Sequence, residues 1–65
     1  MTIKTTQVEI RMGELGLTRK ELAERCNIKP QNLSTILKRG TAGPSTVVRI
    51  ARVLDLSPDV IIKEV

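Results

Sequence analysis

Gly16, Asn27, Pro30, Gly40, Pro44 and Pro58 divide this 65-residue chain into short pieces, and each is a residue that ends, turns or starts a helix. Between them, apolar residues recur three and four positions apart, the spacing of a helix with one buried side. No repeat, low-complexity tract or linker interrupts the pattern, so residues 1–65 read as a single all-α domain. No apolar run approaches the roughly 18 residues of a membrane span, and the first residues lack the basic-then-apolar layout of a secretory leader. A cytoplasmic protein without membrane association is expected.

The chain contains no Phe, Tyr, Trp or His and a single cysteine, Cys26. The core must therefore be built from Leu, Ile and Val, through many small contacts rather than a few large anchors. One cysteine forms no internal disulfide, and without histidine there is no Cys/His set for a structural zinc. No metal or cofactor is expected. With no histidine as general base, and only Arg25 as a basic sequence neighbour of Cys26, a nucleophilic enzyme is not expected either. Cys26 reads as a small buried hydrophobe.

The pieces resolve into five helices. Val8, Met12 and Leu15 share one face of a first helix over Thr5–Leu15, which Gly16 ends; Gly13 inside it costs about 1 kcal/mol relative to Ala. Thr18-Arg19-Lys20-Glu21 has the residue types of a capping box and starts a second helix, with Leu22, Ala23 and Cys26 on its buried side. Asn27 tolerates the left-handed backbone of a tight turn, so that helix stops at about Cys26. Pro30 opens a third helix that Gly40 closes. In it Leu33, Ile36 and Leu37 cluster on one side, Gln31, Thr35 and Lys38 point the opposite way, and Asn32, Ser34 and Arg39 flank them. Pro44 starts a fourth helix whose apolar set is Val47, Ile50, Ala51 and Leu54. Ser57-Pro58-Asp59 predicts a capped final helix running through about Lys63, with Val60, Ile61, Ile62 and Val65 more apolar than one face requires. That surplus suits contact with a second subunit or, equally, simple fraying against the core.

Charge is distributed unevenly. Residues 1–17 and 44–65 each balance, whereas residues 18–43 hold Arg19, Lys20, Arg25, Lys29, Lys38 and Arg39 against Glu21 and Glu24, which is the whole of the net +4. Taken alone, such a surface serves solubility as well as it serves a polyanion. Combined with two short helices joined by a tight turn, the second amphipathic with a polar, carboxylate-free outer face, it predicts a helix-turn-helix. In that arrangement the second helix offers its N-terminus and Arg19 to a phosphate, and the third enters the major groove of DNA. Gln and Asn amides can pair bidentately with adenine, and the Thr35 methyl can touch that of thymine.

The stretch LTRKELAERCNIKPQNLSTIL at residues 17–37, followed by RIARVLDLSPDVI at 49–61, resembles the Cro/repressor helix-turn-helix family of phage and bacterial regulators, also called xenobiotic-response-element-like. The likeness covers roughly Val8 to Ile62. It implies a five-helix lambda-repressor-like domain and a homodimeric transcriptional regulator, more commonly a repressor, bound to a palindromic or near-palindromic operator. It also implies base-reading positions at Pro30, Gln31, Asn32 and Thr35, with Thr18, Arg19, Lys29, Lys38 and Arg39 near phosphates. Three departures stand out. Arg19 replaces a customary Gln, Pro30 stands where a polar reader is usual, and Met12 and Leu37 occupy the places of an Arg–Glu pair that members often bury.

A second class of function remains open at this level: a protein-binding antirepressor or antitoxin-like module that keeps the fold. Such a surface would show exposed Leu, Met or aromatic residues on the third helix in place of Gln31, Thr35 and Lys38. Single-strand or RNA binding is disfavoured because there is no aromatic platform for stacking bases.

Overall fold

The helical stripes of the sequence meet at one aliphatic centre. The computed structural model describes residues 1–63 and contains α1 (Thr5–Leu15), α2 (Arg19–Arg25), α3 (Pro30–Arg39), α4 (Pro44–Val53) and α5 (Pro58–Ile61). Val8 and Met12 of α1 bury there with Leu22 and Ala23 of α2, Leu33 and Leu37 of α3, Val47, Ile50 and Ala51 of α4, and Ile61 of α5. Among the described residues no polar or charged side chain is buried. The interior therefore carries no desolvation penalty that a partner would have to offset. Met12 and Leu37 form part of this apolar interior, consistent with replacing a buried ion pair without cost. Cys26 is buried too, and that burial pushes its thiol pKa up against the opposing pull of Arg49.

The turns follow local chemistry. Gly16 and Gly40 end α1 and α3 with φ of 67° and 75°, a region that side-chain-bearing residues rarely enter. Asn27 takes the same conformation at φ 59° between α2 and α3. Asp55 does so at φ 56° after α4; Asp is one of the few other residues for which this is tolerable.

Three expectations need correction. Leu15 lies on the predicted face of α1 but is 42% exposed. The chain folds back at Gly16, the Leu17 amide donates to the Met12 carbonyl at 2.9 Å, and half-buried Leu17 takes the place against the core. Helix α5 ends at Ile61, short of Lys63, because Ile62 is extended and pairs with Ile3. Ser57 stands at the start of α5, yet its hydroxyl makes no capping bond. Of the surplus apolar residues at this end, Ile61 is fully buried, Ile62 half-buried and Val60 45% exposed; Val65 lies outside the described residues.

The extended segment before α1 has no local sequence signal. Thr2 pairs antiparallel with Thr41, and Ile3 with Ile62. The Ile3 amide donates to the Gly40 carbonyl at 2.7 Å, the Lys4 amide to Ile61 at 2.7 Å, and the Lys63 amide to Thr2 at 2.9 Å. Residues 2–4 thus tie the end of α3 to the residues after α5. A second long-range tie runs from the Arg11 Nε, which donates to the Leu54 carbonyl at 2.9 Å and so satisfies an acceptor at the end of α4.

The positive φ of Asn27 sets a measurable cost. Asn27→Ala should lose about 1 kcal/mol of unfolding free energy, while Asn27→Gly should equal or slightly exceed the parent. Urea denaturation decides it: equal midpoints for the Ala and Gly variants would show that backbone handedness does not govern this turn.

Candidate nucleic-acid interface

Helix α2 begins with both halves of the capping box in place. The Glu21 amide donates to Thr18 Oγ1 and the Thr18 amide donates to Glu21 Oε1, each at 3.1 Å. The bond from the Thr18 amide first, and the Thr18 hydroxyl next, hold the Glu21 carboxyl below its ordinary pKa. Thr18 is itself exposed, beside exposed Arg19 and Lys20.

From α2 the chain passes through Cys26 and left-handed Asn27, and the Ile28 amide donates to the Ala23 carbonyl at 3.0 Å. Lys29 is extended, as the residue before a proline prefers, and Pro30 occupies the first turn of α3. The turn therefore fixes where α3 starts. Along α3, Leu33 is fully buried, Leu37 nearly so, and Ile36 is half-buried. At its far end the Gly40 carbonyl is held by the Ile3 amide. The helix is thus anchored at its first turn, along one side, and at its last carbonyl.

Its other side is free. Pro30, Gln31, Asn32, Ser34, Thr35, Lys38 and Arg39 are all exposed, as is Lys29 just before them. At about 100° per residue, Lys38, Gln31, Thr35, Arg39 and Asn32 occupy one continuous arc, while Pro30 lies at its edge near the line of Leu37. The expected readers therefore gather on one face, with Pro30 marginal to it. Lys38 and Arg39 also lie in the last turn, where positive charge is favourable next to free carbonyls. The Thr35 hydroxyl donates to the Gln31 carbonyl at 2.9 Å. Its proton is used within the helix, leaving an acceptor oxygen and a methyl group.

Two features of this region were not anticipated from the sequence. One is the Thr35 bond, which follows a common pattern of Thr in helices and was legible in principle from the Gln31–Thr35 spacing. The other is Glu9 of α1, whose Oε1 accepts from Arg19 Nη2 at 2.7 Å. The residues are ten apart on different helices, so neither periodicity nor charge spacing signals it.

A helix-turn-helix family model matches residues 8–61. The chain belongs to the Cro/repressor-type helix-turn-helix family. No curated protein and no solved structure matches it. As a helix-turn-helix member the protein is a DNA-binding regulator, with α2 and α3 forming the motif. Among the described residues no helix is long and apolar enough to cross a membrane.

The cap at Thr18 is tested by acid. Because the folded-state pKa of Glu21 is depressed, its contribution to stability is present above the ordinary Glu value and is lost as pH falls through the lower folded value. Stability measured by urea melts across that window should fall for the parent chain more than for Glu21→Gln, and Thr18→Ala should cost about 1 kcal/mol at neutral pH. Parallel pH profiles for parent and Glu21→Gln would mean that the carboxylate bond adds nothing.

Proposed function

We propose that this protein is a sequence-specific repressor that binds a palindromic or near-palindromic operator as a homodimer, acting in the cytoplasm and laying α3 in the major groove. The observation that carries this reading is the α3 surface, which is polar or basic, free of carboxylates and continuous, on a helix held from behind by Leu33 and Leu37. Gln31 and Asn32 are the direct base readers, since a side-chain amide matches the donor–acceptor pair of adenine. Thr35 contributes its methyl group, and Pro30 at most an apolar edge contact. Thr18, Arg19, Lys29, Lys38 and Arg39 are assigned to phosphates, which fix register without reading sequence.

A homodimer is the assembly that suits such an operator, because one protomer carries a single α3. One protomer measures 29 Å along its longest axis, less than the roughly 34 Å between successive major-groove half-sites on one side of DNA. Two copies are needed to present two reading helices in register. A suitable contact surface lies around α4 and α5, where exposed Val48 and Val60 accompany a groove lined by Arg52, Asp55, Leu56 and Pro58. It carries one cation and one carboxylate, so two copies facing each other across a twofold axis would not meet as like charges throughout. The protein-binding alternative is less well supported. Among the described residues the large hydrophobic ones left exposed are Met1, Ile10, Leu15, Val48 and Val60, and none belongs to α3.

Selection of bound fragments from a random duplex library tests the proposal directly, and a recovered site with twofold symmetry and a one-turn spacing is expected. On that site Gln31→Ala should flatten the preference among sequences while leaving weak general binding. Arg19→Ala should weaken every duplex alike and make the slope of log Kobs against log salt shallower by up to about 0.9. If the two variants behave alike, the division into readers and positioners fails.

Thr35 separates methyl from hydroxyl. Since the hydroxyl proton is spent on Gln31, Thr35→Val should keep the affinity for the selected site within about twofold, whereas Thr35→Ala should lose roughly fivefold or more through the missing methyl contact. A large loss for Thr35→Val would instead assign the recognition to the hydroxyl oxygen.

A further inference from the structure

Arg19 is not a free cation. Its Nη2 donates to Glu9 Oε1 at 2.7 Å, with the two side chains 54% and 49% exposed. Among the described residues this is the one ion pair joining two different helices; the other, Arg11 with Glu14, lies within α1. Residues 18–43 owe their net charge to six cations, and Glu9, from a first segment that is neutral as a whole, sets a carboxylate against one of them.

The geometry bears on any phosphate that uses Arg19. A guanidinium engages an oxyanion best through two parallel N–H bonds, either Nε with Nη2 or Nη1 with Nη2. Nη2 belongs to both of those edges. Nη2 has one N–H on each of those edges, so a carboxylate oxygen 2.7 Å from it occupies one edge of the guanidinium and leaves the other open to a phosphate. Two anions on one guanidinium repel each other, so the carboxylate and a phosphate compete for Arg19.

We propose that Glu9 tunes the affinity of this protein for DNA by holding one edge of the Arg19 guanidinium in an internal pair that competes with a backbone phosphate for its charge. The inference rests on the reading of Arg19 as a phosphate contact. Glu9 touches no base, so it acts on the sequence-independent part of binding and lowers retention on arbitrary DNA. Exposed pairs of this kind are weak enough to exchange readily. The pair is accordingly a modulator of binding, and the fold does not depend on it.

The test uses the full chain and a short fluorescent duplex of mixed sequence, with anisotropy titrations over a range of salt concentrations. Glu9→Gln is compared with the parent, with Arg19→Ala and with the double variant. Glu9→Gln should bind roughly two- to fivefold tighter at low salt and show a salt slope steeper by up to about 0.9. In the Arg19→Ala background the same change should bring no such gain, because there is no guanidinium left to release. Unchanged or weaker binding by Glu9→Gln overturns the proposal, as does a gain that survives intact without Arg19. If the parent chain binds no duplex at low salt, the DNA reading itself falls and this inference with it; parental binding with an unresponsive Glu9→Gln sinks the inference alone. Circular dichroism and urea melts of all four chains check that the differences are not losses of fold.

Discussion

Everything the molecule offers to a partner depends on how Leu33 and Leu37 seat α3 in the aliphatic core. Complete burial of a leucine contributes on the order of 1.5–3 kcal/mol relative to leaving it exposed, and the fully buried Leu33 sits at the middle of the helix. That attachment fixes the rotation of α3 about its own axis. A turn of one residue, about 100°, would carry Gln31 and Thr35 off the outer face. Because among the described residues no polar side chain is buried, the seat of α3 is set by how its methyl groups fit a core that includes Leu22, Val47 and Ile50, with the turn at Pro30 and the Ile3 amide holding its two ends. No aromatic ring is present to dominate the packing, so specificity of the fold is spread over many small contacts.

Much of this arrangement was legible in the sequence because the signals are local. The capping residues Thr18 and Glu21 lie three apart, Asn27 and Gly40 advertise left-handed turns, and Pro30, Pro44 and Pro58 each sit in the first turn of a helix. The bounds of α1 and the outward side of α3 follow from periodicity. What stayed hidden is non-local. The bond from Arg11 to the Leu54 carbonyl spans 43 residues of sequence, and the pairing of residues 2 and 3 with 41 and 62 has no pattern in a segment that short. Leu15 has the right spacing for burial but lies at the end of α1, where the core runs out and Leu17 returns to it. Ile62 has the propensity to extend a helix or a strand equally, and only the presence of Ile3 beside it decides.

The candidate interface shows the same division. Side-chain types and helix phase placed Gln31, Asn32, Thr35, Lys38 and Arg39 on one surface, while the state of individual groups needed coordinates. The Thr35 proton is spent on its own helix and the Arg19 guanidinium is shared with Glu9. Charge summed along the chain counts six central cations as equivalent. In three dimensions Arg19 differs from the others because it is paired with a residue outside its own segment. Net charge therefore reports the sign of the surface, whereas the hydrogen-bond partners determine how much of each charge is available.

The strip formed by residues 2–4 has a temporal implication. It holds the last carbonyl of α3 with one amide and residues 61–63 with its remaining groups. During synthesis the helices can form as they are made, but this strip waits for residues some sixty positions later before all its bonds close. Until then the strip is tied to Gly40 alone, and its bonds to Ile61 and Lys63 stay open. A nascent chain would close the tie at the end of α3 before the tie around α5, which completes only when the earliest and latest described residues come together.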